Sequence, residues 1–156
     1  MHSTPVLVVG MHGTVAALRA LQAAISLTLA ARGELVAVYV NARSPAAALG
    51  STTGLAALAV AREATADQAH LSCELELAGC PFEWAFETRC GDAASELERA
   101  AEERGAACIV VGKDAHRLVH RMVFSSVADR LIQHARRPVI VVPRRIDQGA
   151  PDHECQ

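Results

Sequence analysis

Residues 5–33 read PVLVVGMHGTVAALRALQAAISLTLAARG, and this stretch decides the fold class of the chain. Its first part, residues 5–9, is almost continuously apolar, which is typical of a strand buried on both faces of a parallel sheet. A glycine-containing loop follows, and residues 14–31 carry apolar side chains at helical spacing, with Gly33 as the stop signal. A buried strand followed by an amphipathic helix predicts an α/β protein.

The same alternation continues to residue 142. Short runs of β-branched and apolar residues predict further strands at 35–40, 82–88, 108–111 and 139–142. Helical periodicity predicts helices at 51–78, 93–104 and 126–135, with Asp92 capping the third helix and Ser126 opening a capping box before the fourth. Because crossovers are right-handed, we expect one doubly wound, five-stranded parallel sheet of order 3-2-1-4-5 with four helices.

Length and composition fit a single domain. The chain has 156 residues, of which 51% are hydrophobic and only 3% aromatic, which suits close packing of helices on a sheet. We assign residues 1–145 to this domain and expect residues 146–156 to form a disordered tail, because they lack apolar periodicity. The net charge of −2 gives no general attraction to nucleic acid or to an anionic membrane.

The sequence also predicts a cytoplasmic location. The first five residues do not form the start of a secretion signal, and the Ala- and Leu-rich stretch 15–31 is amphipathic rather than membrane-spanning. The five cysteines are odd in number and scattered, without a Cys-x-x-Cys pair, so we expect reduced thiols and neither a disulfide framework nor a zinc site.

The topology predicts where a ligand would bind. In open α/β sheets, ligands lie beyond the carboxyl ends of the strands at the point where the strand order switches, here between the first and fourth strands. The loops at that point are residues 10–14 and the segment from Gly112 to Ser126. We expect these two loops to face each other across a cleft.

Three segments of the carboxyl half resemble the universal stress protein family. They are Val110-Val111-Gly112, then Ser126-Val127-Ala128, and finally Pro138 followed by Val139-Ile140-Val141-Val142. The likeness covers nearly the whole chain, including the loop after the first strand and the long second helix. It implies an adenine-nucleotide-hydrolase-like fold and a regulatory or stress-adaptation role in the cytoplasm.

The ATP-binding branch of that family carries a phosphate loop of Gly, two residues, Gly, nine residues, Gly, then Ser or Thr. Glycines let backbone amides approach phosphate oxygens, and the hydroxyl adds a donor. Here Gly112 and Ser126 match, but Ala115 and Ser125 stand where the second and third glycines belong. Each side chain penalises a left-handed backbone by roughly 1 kcal/mol, so the pattern predicts weak or absent ATP binding.

The first loop differs from that branch as well. His12 replaces an acidic residue associated with the ribose, and a protonated histidine would favour an anion instead. Two hypotheses remain open, namely a degenerate pocket that binds nothing and a pocket retuned for ATP or another anionic small molecule. The resemblance assigns these residues to the pocket: Gly10, His12, Gly13, Thr14, Val40, Gly112, Ala115, Arg117, Arg121, Ser125, Ser126 and Val127.

Several other residues carry charged or reactive groups. Arg117 and Arg121 would clamp a phosphate or form a solvated loop face, and His116 and His120 lack a third zinc ligand at a recognisable spacing. Cys90 precedes a helix start, yet an idle thiol is the simpler interpretation. We predict no enzymatic activity, because no pair of acid and base is recognisable; a hydrolase or transferase is the alternative class.

The last strand predicts a homodimer. Residues 139–142 (Val139, Ile140, Val141 and Val142) are all apolar and would lie at a sheet edge, which proteins rarely leave bare. The resemblance implies antiparallel pairing with the same strand of a second copy, and Pro138 and Pro143 would limit its extent.

Overall fold

Five parallel strands form the centre of the structure, a computed structural model that describes residues 4–42, 52–113 and 127–143. The strands are β1 (Val6–Met11), β2 (Glu34–Ala42), β3 (Trp84–Gly91), β4 (Cys108–Gly112) and β5 (Val139–Val142). Their order in the sheet is β3-β2-β1-β4-β5, as the sequence predicted. The helices are α1 (Val15–Ala31), α2 (Thr52–Leu77), α3 (Ala93–Glu103) and α4 (Val127–His134).

Alternate residues of each central strand face two separate cores. Val9, Leu35 and Tyr39 belong to the core beneath α1 and α2. Val8 and Val38 belong to the core beneath α3 and α4. Both faces of the sheet are therefore buried, which explains why the central strands read as continuous apolar runs in the sequence.

The strand boundaries differ from the sequence-based ones mainly at the carboxyl ends. The parallel ladder of β2 and β3 continues through Asn41↔Cys90 and Ala42↔Gly91, beyond the apolar runs that marked those strands. β3 also begins at Trp84 rather than at residue 82. Backbone pairing does not need apolar side chains, so hydropathy alone misplaced these ends.

α1 ends at Ala31, as the sequence predicted, but the residue that terminates it is Arg32. Arg32, not Gly33, adopts the left-handed conformation (φ 50°, ψ 44°), and its N–H donates to the Leu29 carbonyl. Gly33 is required for a different reason, because a Cβ there would overlap the Pro5 carbonyl oxygen. That carbonyl accepts a hydrogen bond from the Glu34 N–H at 2.9 Å, which starts the pairing of β1 with β2.

Two side chains pack against the core beneath α1 and α2. Trp84 packs beneath α2, and the His70 ring of α2 lies edge-on to it and is stacked on Phe86 at a centroid distance of 4.6 Å. Cys108 is half-buried and packs against the same core. Residues 144–156 and the Ser126 cap lie outside the described residues. In the described part, no helix has the length and apolar character that a membrane crossing requires.

Asp92 joins the start of α3 to α4. Its carboxylate accepts hydrogen bonds from the Ser95 N–H at 3.1 Å and hydroxyl at 2.7 Å, which confirms the predicted cap. Arg130 of α4 forms a bidentate pair with the same carboxylate, with 2.9 Å between Nη2 and Oδ2. The Arg130 hydrogen bond is the main reason why the pKa of Asp92 falls from 3.8 to about 2.

We predict that Asp92→Ala lowers the free energy of unfolding by about 1 kcal/mol at neutral pH, since the cap is lost and the exposed ion pair adds little. The native state lowers this pKa, so the contribution is fully present above pH 3.8 and is lost as the pH falls toward about 2. Urea unfolding of wild type and variant at neutral pH and at about pH 2 measures this contribution. Asp67→Ala, which changes an exposed residue of α2, serves as the control. A difference that persists at pH 2 would contradict this assignment.

Candidate functional site

The turn between β1 and α1 opens the carboxyl edge of the sheet. The Thr14 N–H donates to the His12 carbonyl, and the Thr14 hydroxyl accepts from the Ala17 N–H at 3.3 Å, so Thr14 caps α1. His12 and Gly13 are exposed. The amino end of α1 faces this edge, and the helix dipole favours an anion there.

Gly112 lies against this same turn from the side of β4. A Cβ on Gly112 would overlap the carbonyl of Ala16, so only glycine allows the end of β4 to approach the first turn of α1 this closely. The register of β1 and β4 pairs Val9 with Val110, and two residues further on it brings Met11 level with Gly112. The turns that follow β1 and β4 therefore begin side by side.

Lys113 adds a cation at this point. Its backbone N–H donates to the Val142 carbonyl at 2.9 Å, which holds the exit of β4 against β5. Its Nζ lies 3.9 Å from Asp129 Oδ1 in the first turn of α4, and the lysine side chain is 55% exposed. Sequence analysis did not assign Lys113 or Asp129 to the site, although a lysine directly after the strand-end glycine was a usable signal.

Arg19 contributes a second cation near this edge. It lies one helical turn after Ala16, on the same face of α1, and helical side chains lean toward the amino end of their helix. Its Nη1 is buried and has no hydrogen-bond partner in the described structure. The described cation at the edge itself is Lys113, which together with the amino end of α1 makes this side suitable for an anionic group.

The other residues assigned from the sequence have different surroundings. Gly10 lies within β1, where a Cβ would come 3.1 Å from Leu97 and 3.2 Å from Val111, so it serves packing beneath α3. The Val40 side chain is 6% exposed and packs in the core, so only the Val40 backbone can contribute to a site at the carboxyl edge of the sheet. Thr65 of α2, which the sequence did not point to, lies close to Gly13. A Cβ on Gly13 would come 3.4 Å from the methyl carbon of Thr65.

The structure brings together Gly13, Thr14, His12 and Gly112, and α4 begins at Val127 close by. The remaining assigned residues lie outside the described ranges, and so do the two histidines weighed for zinc: Ala115, His116, Arg117, His120, Arg121, Ser125 and Ser126. Their roles stay predictions. Among residues 4–42, 52–113 and 127–143, no group of three or more metal-ligating side chains is found.

Cys90 lies away from this edge site, at the end of the outer strand β3. It borders a groove in which Arg89 donates to Glu87 at 2.9 Å and to Glu103 at 2.6 Å. Arg104 pairs with the same Glu87. Burial raises the pKa of the Glu87 carboxyl, but the hydrogen bonds from Arg89 and Arg104 outweigh this effect, so the pKa of Glu87 is lowered. The charged residues of the groove thus form a network of ion pairs between β3 and α3, and the role of Cys90 stays a prediction.

The chain matches the model of the universal stress protein family over residues 5–143. Among solved structures, a universal stress protein family member from Burkholderia pseudomallei is 30% identical, with a TM-score of 0.63; the match covers 89% of this chain and 96% of that one. An AMP-bound family protein from Arabidopsis thaliana shares 12% identity over 95% and 97% of the chains (TM-score 0.68). A universal stress protein in complex with cAMP shares 19% sequence identity with a TM-score of 0.60, and the match covers 92% of this chain and 100% of that one. No curated protein matches the chain.

We predict that Gly112→Ala lowers the free energy of unfolding by about 1–3 kcal/mol, because the new methyl group pushes β4 away from α1. Gly13→Ala is the matched control, since its Cβ would meet only the Thr65 methyl at an ordinary contact distance. Chemical denaturation of the two variants measures the difference. Equal stabilities would show that the close contact of Gly112 with α1 is not a constraint.

Proposed function

The chain belongs to the universal stress protein family, and on this basis we propose that it is a non-enzymatic regulatory module whose pocket binds ATP weakly or not at all. The module would act in stress adaptation by binding rather than by turnover. The one observation that carries the proposal is the substitution of two phosphate-loop glycines by Ala115 and Ser125.

The expected weakness of ATP binding arises where the phosphates would be held. A triphosphate needs several backbone amides that converge on its oxygens, and glycine provides the required backbone freedom and space. Gly112 and Ser126 retain part of such a cradle, whereas Ala115 and Ser125 each add a side chain. The part nearest α1 is retained, and the part that would hold the outer phosphates is altered.

The charges at the edge support binding rather than catalysis. Asp129, the acid that the described structure places there, lies against Lys113 at 3.9 Å, an arrangement of opposite charges rather than of a base beside a nucleophile. The histidine of the edge, His12, is on the opposite turn and exposed to solvent. General acid–base catalysis needs a poised acid or base within hydrogen-bond reach of the reacting group.

A second candidate is a nucleotide with a single phosphate. The family proteins solved with AMP and with cAMP hold ligands that place one phosphate beside the nucleoside. In this chain the amides of α1, the capping residue Thr14 and the cation Lys113 could receive one phosphate without the altered part of the loop. This ligand would tolerate Ala115 and Ser125 better than ATP would.

We predict that freshly purified protein carries no ATP in native mass spectrometry. The double variant Ala115→Gly, Ser125→Gly should bind ATP about tenfold or more tightly than wild type in titration calorimetry, because two penalties of about 1 kcal/mol are removed. Ala107→Gly, in the exposed turn before β4, is the control and should change nothing. Co-purified ATP in the wild type, or no gain in the double variant, would overturn the proposal; ATP turnover would reinstate the enzyme class.

We also propose that the protein is a homodimer through β5. All four residues of β5 are only half-buried in the single chain although they are apolar. The opposite edge strand, β3, carries Glu87 and Arg89, which discourage pairing. The Pro138 carbonyl accepts a hydrogen bond from Ile109 of β4, and the Val142 carbonyl accepts one from Lys113, directly after β4. By alternation, the N–H and C=O groups of Val139 and Val141 point outward, available to a second copy.

We predict that Ile140→Lys dissociates the dimer in sedimentation experiments. Ile140 also packs against the core beneath α1, so circular dichroism must confirm that the variant folds. Val141→Pro is a second test, since it removes an outward N–H and leaves the pairing with β4 intact. Leu75→Lys, at a 71% exposed position of α2, should remain dimeric. A wild-type monomer at all concentrations, or a dimer that survives both substitutions, would contradict the assignment.

A further inference from the structure

An aromatic cluster lies where α2 covers the edge strand β3. The ring of His70, on α2, is stacked on Phe86 of β3, with 4.6 Å between the ring centroids and 21° between the ring planes. The same ring lies edge-on to Trp84, at a centroid distance of 6.5 Å and an angle of 65°. Both β3 residues pack against the core beneath α1 and α2. The His70 ring therefore connects α2 directly to an outermost strand of the sheet.

His70 also faces carboxylates on its own helix. Its Nε2 atom lies 3.8 Å from Oε1 of Glu74, one helical turn later, and the two side chains are 47% and 55% exposed. Asp67 is exposed and lies three residues before His70, a spacing that places it on the same face of α2. The charged side chains of α2 within one turn of His70 are therefore both negative.

The side of β3 that faces His70 is aromatic rather than charged. Strand alternation places the two aromatic side chains toward α2, whereas Glu87 and Arg89 lie on the other face and pair with each other at 2.9 Å. Glu83, directly before the strand, is exposed. Glu76 of α2 lies on the opposite flank of the helix, where it accepts a hydrogen bond from α1. In the described structure, the charged groups that face His70 are thus carboxylates.

We propose that His70 is a pH-sensitive brace, which holds α2 on the edge strand β3 more firmly when its ring is protonated. A histidine ring gains its positive charge within the range of about pH 8 to pH 5. The charged ring is attracted by the Glu74 carboxylate. It is also attracted by the face of Phe86, whose centroid lies within the distance of about 6 Å at which cations and aromatic rings interact. The neutral ring keeps only the stacking contact.

The brace adds stability at low pH. The folded chain holds Glu74 and Phe86 beside His70, and the unfolded chain does not, so the attraction of these groups to a charged ring stabilises only the folded chain. This contribution is present at pH 5 and is lost as the pH rises to 8. It needs neither a nucleotide nor a second copy of the chain, so it stands apart from the proposed function.

The braced helix also reaches the turn after β1. Thr65, five residues before His70 on α2, lies beside Gly13 of that turn. Because α2 is one continuous helix from Thr52 to Leu77, its attachment at His70 also bears on the position of Thr65. Proton uptake at the outer strand therefore acts on a helix that contacts the carboxyl edge of the sheet.

The test compares wild type with His70→Gln, which keeps a planar polar side chain but cannot take up a proton. Urea unfolding at pH 8 and at pH 5 gives the ratio of their unfolding equilibrium constants. We expect this ratio to change about fivefold between the two pH values, with wild type relatively more stable at pH 5. Glu74→Gln removes only the carboxylate and should change its own ratio to wild type by about twofold.

His12→Gln is the matched control, because it makes the same exchange at an exposed histidine away from β3. It should give wild type no relative gain in stability at pH 5. A ratio of wild type to His70→Gln that stays constant between pH 8 and pH 5 would overturn the proposal, and so would an equal gain against His12→Gln. Should His70→Gln fail to fold, a constant ratio for Glu74→Gln overturns the proposal instead.

The fluorescence of Trp84 locates the proton, since this residue is the single tryptophan of the chain. A protonated imidazole beside an indole quenches its emission, whereas a neutral imidazole does not. The emission of the folded wild type should therefore fall between pH 8 and pH 5, and it should fall much less in His70→Gln. An emission that changes equally in the two proteins would place the proton elsewhere and overturn the role of His70.

Discussion

The close approach of Gly112 to the Ala16 carbonyl is the contact on which the rest of the site depends. It places the start of α1 directly over the end of β4, so that the turns after β1 and β4 begin side by side. The missing Cβ is what permits a helix to pack against a strand end at this distance. Because α1 also covers the core beneath it, the geometry of the cleft and the stability of the domain share one contact.

The charged residues divide into a structural set and an edge set. Glu87, Arg89, Glu103 and Arg104 satisfy one another between β3 and α3, and Asp92 and Arg130 join α3 to α4. At the carboxyl edge of β1 and β4, by contrast, a cation lies at Lys113 and Arg19 has an unpaired buried nitrogen. On the β2 side the unpaired group is the oxygen of Asn41.

The two edge strands of the sheet differ in length and in polarity. β3 is long and carries charged side chains held in ion pairs, which blunt it against pairing with another chain. β5 is short and apolar, with half-buried side chains. The apolar edge of the sheet is the strand next to the one that carries Gly112.

The sequence by itself determined the sheet order, the four helices and the cap at Asp92, because buried parallel strands and capped helices leave local patterns of hydropathy and polarity. It also named Ala115 and Ser125 through resemblance. Only the tertiary structure decided that Arg32 ends α1, that Gly10 serves packing, that Thr65 lies beside Gly13 and that Lys113 lies beside Asp129. These features depend on which strand ends are neighbours and on which polar atoms lack a partner, and both arise from contacts between residues far apart in the chain.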